Sequence, residues 1–200
     1  MNKTCNNSAR RQLQFLLIKT VAVRNGIKPG ELLRLNACYR EGRECLCLDR
    51  VLQVLDLKHL ILERSGEHAL VLFYHPEALS SVLNTEEARR FLAGYGYAGE
   101  LELTEALAHL AARFTDGVIP HEVGVFIGYP VKDVRGFIHG GDKVPVERGS
   151  WQVFGDPAES ITRMEQYRAA EAQAKGIVNF REGNTFIKDL NHNIRSLKNG

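Results

Sequence analysis

The residues in this sequence with the most reactive side chains at close spacing are His121 and Glu122, which precede the apolar run 123–127. Histidine titrates near neutral pH and can act as a general base, a general acid or a metal ligand. Neighbouring side chains on an extended strand point to opposite faces, so these two cannot form a direct dyad within a strand. We take both as candidate catalytic residues. The alternative for each is a structural role, in which Glu122 fixes a backbone group or pairs with Lys28 or Arg135.

A second group of polar and aromatic residues follows predicted strands at points where the chain enters a helix. Three such junctions carry proline, at Pro76, Pro130 and Pro157. Proline suits the first position of a helix because its φ is already near the helical value and its missing N–H is not needed there. In parallel sheets, the carboxyl ends of the strands are the usual place for ligands, and helix N-termini favour anions.

If the three junctions share one edge of a sheet, their polar side chains converge there and can bind a small ligand. The predicted ligand-binding residues are Tyr74, His75, Tyr129, Asp156 and Lys28. A glycine-rich loop would strengthen an anion site, but the GxGxxG and GxxxxGK[ST] patterns are absent from the sequence. The GxSxG and HExxH signatures of hydrolases are absent as well.

The segment 122–128 is apolar or glycine on both alternating faces, which predicts a strand that is covered on both sides and lies centrally in a sheet. Gly124 and Gly128 lie on either side of Phe126 and indicate a close approach by another backbone, a helix or a ligand. As a strand, the eight residues from His121 to Tyr129 would span ~26 Å. The two ends would then be separate sites, and we favour the end at Tyr129.

The remaining patterns predict an α/β fold in a single domain, residues 1–200, with a mixed sheet of about five strands and helices on both faces. An amphipathic helix ends at Asn25-Gly26, and a turn and short strand follow it. A hairpin is predicted around Ser65-Gly66, and helices capped by Thr85 and Thr104 come later. Further predictions are a helix at about 44–56, a strand at 150–155, a helix from Pro157 to about Lys175 and a peripheral tail at 176–200.

The composition is that of an ordinary globular protein, with 44% hydrophobic and 25% charged residues and a net charge of +2. Basic and acidic residues are interspersed, whereas nucleic-acid-binding proteins usually carry a concentrated basic stripe. No stretch reaches the ~20 apolar residues that a membrane span needs. We therefore expect a cytoplasmic protein that binds neither nucleic acid nor membranes.

The four cysteines are Cys5, Cys38, Cys45 and Cys47. Their spacing matches no zinc ribbon, and a cytosolic domain of this size needs no disulfides. On a helix, residues two apart point about 200° apart, so Cys45 and Cys47 could not bind one metal ion. In a loop, this objection would not apply. We expect buried or incidental thiols and predict no metal site.

The longest motif resembles a bacterial family catalogued as domain of unknown function 3793, over about residues 13–175. The matching elements are Ile27-Lys28-Pro29, residues 72–74, HEVGVFIGYPVKDVRGFI at 121–138 and residues 151–156. The resemblance implies an association with iron-uptake and flavodoxin genes, and so with metal or redox physiology. Many members of that family carry a His-Cys or Cys-Ala-Pro element before the Lys-Pro turn, where this chain reads KTVAV at 19–23.

From these observations we expect a non-catalytic protein that binds a small ligand or acts as an accessory in metal or redox homeostasis. One alternative is a small enzyme that uses His121 as general acid or base. The other is an interaction module that assembles through an exposed sheet or helix surface. The sequence names no cofactor, partner or oligomeric state.

Overall fold

The computed structural model describes residues 3–36, 55, 57–66, 68–97, 99–100, 102–115, 117–140, 142–144 and 149–180. Within them, three strands form an antiparallel sheet: β1 (Gly30–Asn36), β2 (His59–Ser65) and β3 (His68–Tyr74), in the order β1-β3-β2. β2 and β3 form the hairpin predicted around Ser65-Gly66, and Gly66 adopts the left-handed φ of +55° that this turn requires. Leu72 of β3 lies opposite Leu32 of β1 and Leu60 of β2.

The central strand β3 is covered on both faces, since all five residues from Ala69 to Phe73 are buried. Val71 and Phe73 pack on one side of the sheet with Leu33 and Leu35, and Leu72 packs on the other. The alternation of side chains along a strand explains this division between two hydrophobic clusters.

Two long helices, α1 (Lys3–Arg24) and α7 (Ala158–Phe180), pack against each other. Leu16 and Leu17 of α1 cover the face of the sheet that carries Val71 and Phe73. Small side chains let the two helices approach closely, and the buried residues between them are Val21, Ala22, Ala170 and Ala174. Lys19 also bonds Glu171 across this contact at 3.0 Å.

Five shorter helices cover the opposite face of the sheet: α2 (Pro76–Leu83), α3 (Glu86–Ala93), α4 (Leu103–Arg113), α5 (Val123–Phe126) and α6 (Val131–His139). They share one hydrophobic cluster with Leu72, whose fully buried members include Leu79, Leu92, Leu110 and Phe126. A separate two-stranded ladder, β4 (Lys143–Val144) with β5 (Val153–Phe154), lies against α6.

The predicted α/β class with helices on both faces is confirmed, but the single mixed sheet of about five strands is wrong. The described residues form seven helices, one three-stranded sheet and one two-stranded ladder, all with antiparallel pairing. The prediction of a strand at 122–128 is also wrong, because the backbone hydrogen bonds of this segment are local and helical. Gly124 N donates to His121 O and Ile127 N donates to Val123 O, each at 3.1 Å. A short, wholly apolar run fits a buried helical turn as well as a buried strand.

Most of the predicted helix boundaries agree with the structure. α1 ends at Arg24 before Asn25-Gly26, and Thr85 caps α3 by accepting from Ala88 N at 3.3 Å. Thr104 is not a cap, because α4 begins one residue earlier and Glu102 is its N-cap residue. α7 extends beyond Lys175 to Phe180, while the predicted tail from 181 onward and the predicted helix at 44–56, except Leu55, lie outside the described residues.

The proline junctions differ from one another. Pro76 begins α2 directly after β3, as predicted. Pro130 is the N-cap residue between two helices, α5 and α6, and Pro157 precedes the first residue of α7. The three proline junctions therefore do not lie along the edge of a parallel sheet. Their polar side chains can come together only through packing between helices and strands.

Candidate functional site

The turn that leads into β1 lies beside the end of β3. Gly30 pairs with Tyr74, and His75 N donates to Pro29 O at 3.0 Å. His75 caps α2, because its Nδ1 accepts from Ala78 N at 3.3 Å. Two predicted ligand-binding residues, Tyr74 and His75, are thus adjacent to the turn that holds a third, Lys28.

The Lys28 side chain extends from this turn towards α7. Its Nζ lies 5.1 Å from the centre of the Tyr167 ring, within reach of a cation–π contact, and it forms an ion pair with Glu31. The Tyr167 hydroxyl donates to Gly128 O at 3.2 Å, and Arg163 donates to the same carbonyl at 3.1 Å. Lys28 and the Gly128-Tyr129 peptide therefore meet at one side of α7.

Tyr129 is part of an aromatic group at this place. Its ring stacks on Trp151, with centres 4.5 Å apart and planes 21° from parallel, and Trp151 lies 6.3 Å from Tyr167. Tyr129 and Trp151 are partly exposed, whereas Tyr167 is buried. We call Lys28, Tyr129, Trp151 and Tyr167 the aromatic site.

A buried carboxylate fixes the orientation of Trp151. Asp133, 2% exposed, accepts from Trp151 Nε1 at 2.8 Å and from Ser160 Oγ at 2.6 Å through Oδ2. Its Oδ1 accepts from Lys132 Nζ at 2.8 Å and from Phe154 N at 2.9 Å. Four donors thus satisfy this carboxylate, and they tie α6, β5 and α7 to the indole.

The electrostatics of the aromatic site leave its phenols neutral and its cations paired. Burial, followed by the charge of Glu31, raises the pKa of Tyr129, and burial raises the pKa of Tyr167 despite the opposing Arg163. The nearby cations are each matched by a carboxylate: Lys28 by Glu31, Lys132 by Asp133 and Arg163 by Glu159. The site can therefore offer aromatic surface and the Tyr129 hydroxyl, with no excess of positive charge from these three pairs.

Asp156 does not take part in the described contacts of the aromatic site. Its side chain is exposed, and Oδ1 accepts from Ala158 N at 3.1 Å, which caps α7. The first turn of α6, after Tyr129 and Pro130, already carries the negative charge of Asp133. A helix N-terminus that holds a carboxylate is less available to an added anion.

His121 and Glu122 lie in different environments. His121 is exposed and its ring packs edge-on against Phe137, with centres 5.3 Å apart. Glu122 is completely buried and forms an ion pair with Arg113, so the predicted pairing with Lys28 or Arg135 is wrong. The ~26 Å separation of His121 from Tyr129 is wrong too, because a helix advances only about 1.5 Å per residue and Tyr129 N bonds Gly124 O at 2.9 Å.

Sequence reasoning did not assign Trp151, Tyr167, Asp133 or Arg163 to the site. Trp151 and Asp133 stand in the recognised motif, so their presence there was a usable signal. Tyr167 and Arg163 lie on α7, one helical turn apart, where their spacing resembles any amphipathic helix. Only their contacts with Gly128 distinguish them.

Metal-binding groups and membrane spans can be assessed for the described residues alone. Across these ranges, no cluster of three or more His, Cys, Asp or Glu side chains could hold a metal ion. Cys38, Cys45 and Cys47 lie outside the described residues, and the side chain of Cys5 is not described, so the cysteine interpretation stays a prediction. None of the helices in the described part has the length and apolar character to cross a membrane.

Comparison with known proteins gives one match. A family model described as "Protein of unknown function (DUF3793)" matches residues 16–188. The match contains every residue of the aromatic site, as well as His121 and Glu122. No curated protein and no solved structure matches the chain.

Proposed function

Since this chain belongs to the DUF3793 family, whose description states no activity, we propose from the geometry that it is a non-catalytic protein that binds a small planar ligand at the aromatic site. The observation that carries this proposal is the stacked pair of Tyr129 and Trp151, which is partly exposed and held in orientation by Asp133. Because the two side chains are already held in orientation, they lose little conformational freedom when the ring of a ligand packs on them. Aromatic rings prefer such offset or stacked partners.

The charges around the site favour a ring over a simple anion. Each of the three neighbouring cations has a carboxylate partner, so an added anion would have to compete with Glu31, Asp133 or Glu159. The Tyr129 hydroxyl is neutral and can exchange hydrogen bonds with a ligand's polar edge, whereas the buried Tyr167 hydroxyl already donates to Gly128 O. We therefore propose that ring stacking supplies most of the affinity and that a negative group adds little.

Metal or redox homeostasis, which the family resemblance implies, is the physiological setting that we propose. A planar heterocycle such as an isoalloxazine is compatible with that setting and with an aromatic site. Riboflavin and flavin mononucleotide share this ring and differ in one phosphate group. Together with inorganic phosphate, these two flavins separate the contribution of the ring to the binding affinity from the contribution of the negative charge.

Titration of the protein with these three probes tests the proposal. Trp151 is the only tryptophan of the chain, so its fluorescence reports on the aromatic site alone. We expect both flavins to quench Trp151 emission with similar dissociation constants, and phosphate to leave the emission unchanged. Calorimetric titration should give the same ranking.

A matched pair of variants locates the binding. Tyr129→Leu removes one ring of the stack and should weaken riboflavin binding about two- to tenfold, since an aromatic pair contributes about 0.5–1.5 kcal/mol. Tyr95→Leu removes a half-buried tyrosine that packs on Phe91 instead, and should leave the affinity unchanged. Binding of phosphate alone, or equal loss of affinity in both variants, would contradict the proposal.

A further inference from the structure

A second group of buried polar atoms, which shares no residue with the aromatic site, lies where Glu122 at the start of α5 meets Arg113 at the end of α4. Glu122 is 0% exposed, and its Oε1 accepts from Arg113 Nε. Its other oxygen, Oε2, is buried and has no hydrogen-bond partner among the described residues. Buried carboxylate oxygens rarely persist in this condition, because they have lost hydration without replacement.

The Tyr97 hydroxyl is in the same condition. Tyr97 is 4% exposed, and no described residue exchanges a hydrogen bond with its hydroxyl. Its ring is fixed between His109, with centres 4.3 Å apart, and Phe126, with centres 5.8 Å apart. His109 is itself held by Tyr95 O at 2.9 Å, so the phenol has little freedom to seek another partner.

These two unpartnered groups lie in neighbouring parts of the fold, because Tyr97 packs on Phe126 of α5 and Glu122 is the N-cap residue of that helix. Burial raises the pKa of Tyr97, and the negative charge of Glu122 raises it further, against the opposing effect of Arg113. The phenol consequently keeps its proton and remains a donor. Glu122 Oε2 can only accept while it is ionised, so the two groups are complementary.

We propose that Glu122 Oε2 and the Tyr97 hydroxyl form an internal binding site for one small neutral molecule that donates to the first and accepts from the second, and that in aqueous solution this molecule is water. The ligand should be neutral because Arg113 already compensates the charge of Glu122. Buried waters typically serve polar groups that lack a protein partner in this way.

The protein surface next to Tyr97 is concave. Tyr97 lines a groove of about 400 Å³ with Ala93, Gly99 and the charged residues of α3. The groove reaches the Tyr97 residue, whereas the Tyr97 hydroxyl and Glu122 Oε2 lie beneath the surface. Glu122 thus has a binding role that is independent of the function proposed for the aromatic site.

Removal of one hydroxyl tests the inference. Tyr97→Phe keeps the ring and its contacts, but deletes one of the two bonds to the bound molecule. We expect the folded-to-unfolded ratio in urea to fall about fivefold. We also expect ¹⁷O magnetic relaxation dispersion to count one long-lived internal water fewer than in the wild-type protein.

Tyr95→Phe is the matched control, because it deletes the hydroxyl of a nearby, half-buried tyrosine. It should change neither the water count nor the unfolding midpoint appreciably. A rise in the midpoint of Tyr97→Phe would show that the hydroxyl was unpaired and costly, and would overturn the inference. An unchanged midpoint or an unchanged water count in that variant would also overturn it.

Discussion

Replacement of Asp133 by Asn is expected to lower the free energy of unfolding by about 3–5 kcal/mol, the usual loss when one partner of a buried charge pair is removed. The reason lies in the four donors around this carboxylate, which include Trp151 Nε1 and Lys132 Nζ. Indole and ammonium groups donate but cannot accept. Whichever way the amide is turned, its NH₂ group faces a donor that cannot receive it.

The same carboxylate predicts a dependence of stability on pH. Burial raises the pKa of Asp133, but the hydrogen bonds from Lys132, Ser160, Phe154 and Trp151 outweigh this effect and hold it below its ordinary value of 3.8. Its contribution is therefore fully present above about pH 3.8 and is lost as the pH falls through the lower pKa of the folded state. Urea unfolding between pH 5 and 2 should show a steeper acidic decline for the wild-type protein than for Asp133→Asn.

Asp156→Asn supplies the control for both measurements. Asp156 is exposed and accepts one backbone hydrogen bond, which an asparagine can also accept. Its stability should stay within about 0.5 kcal/mol of wild type, and its acidic decline should match that of the wild-type protein. A loss below about 1 kcal/mol for Asp133→Asn would mean that the four bonds are not all formed in solution.

Asp133 also shows why the aromatic site was only partly predictable. Local patterns located the hairpin at Gly66, the end of α1 and the cap at Thr85, because each depends on residues close together in the chain. They placed Lys28 and Tyr129 in the site as well. They did not supply the partners of these residues, since Tyr167 and Trp151 reach them through packing of α7 and β5 against α6.

The segment 122–128 was misassigned for a related reason. Its residues are buried on every side, so no alternation of polar and apolar positions distinguishes a strand from a turn of helix. The two glycines were nevertheless correctly taken as points of close approach. A Cβ atom at Gly124 would lie 2.7 Å from Val134 Cγ2, so α6 is the neighbour that requires this glycine.

Replacement of Gly128 by Ala is expected to have a comparably large effect, about 2–5 kcal/mol, because two costs add. The residue has φ +88°, a conformation that costs an L-residue roughly 1–2 kcal/mol. Its Cβ would also lie 2.6 Å from the Tyr167 hydroxyl and 2.8 Å from Pro29 Cδ. Crowding of this kind in a packed interior typically costs 1–3 kcal/mol.

Gly155→Ala separates the two costs, because Gly155 also has a left-handed φ, +65°, but no atom within 4 Å of an added Cβ. It should lose only the conformational part, about 1–2 kcal/mol, in the same urea experiment. Tyr167→Phe in the Gly128→Ala background should recover part of the loss, since it removes the nearer of the two clashing groups. Equal losses of unfolding free energy for Gly128→Ala and Gly155→Ala would contradict the close packing of Gly128 against α7.

Because Gly128 precedes Tyr129, the Gly128→Ala variant should also bind riboflavin more weakly than Gly155→Ala does.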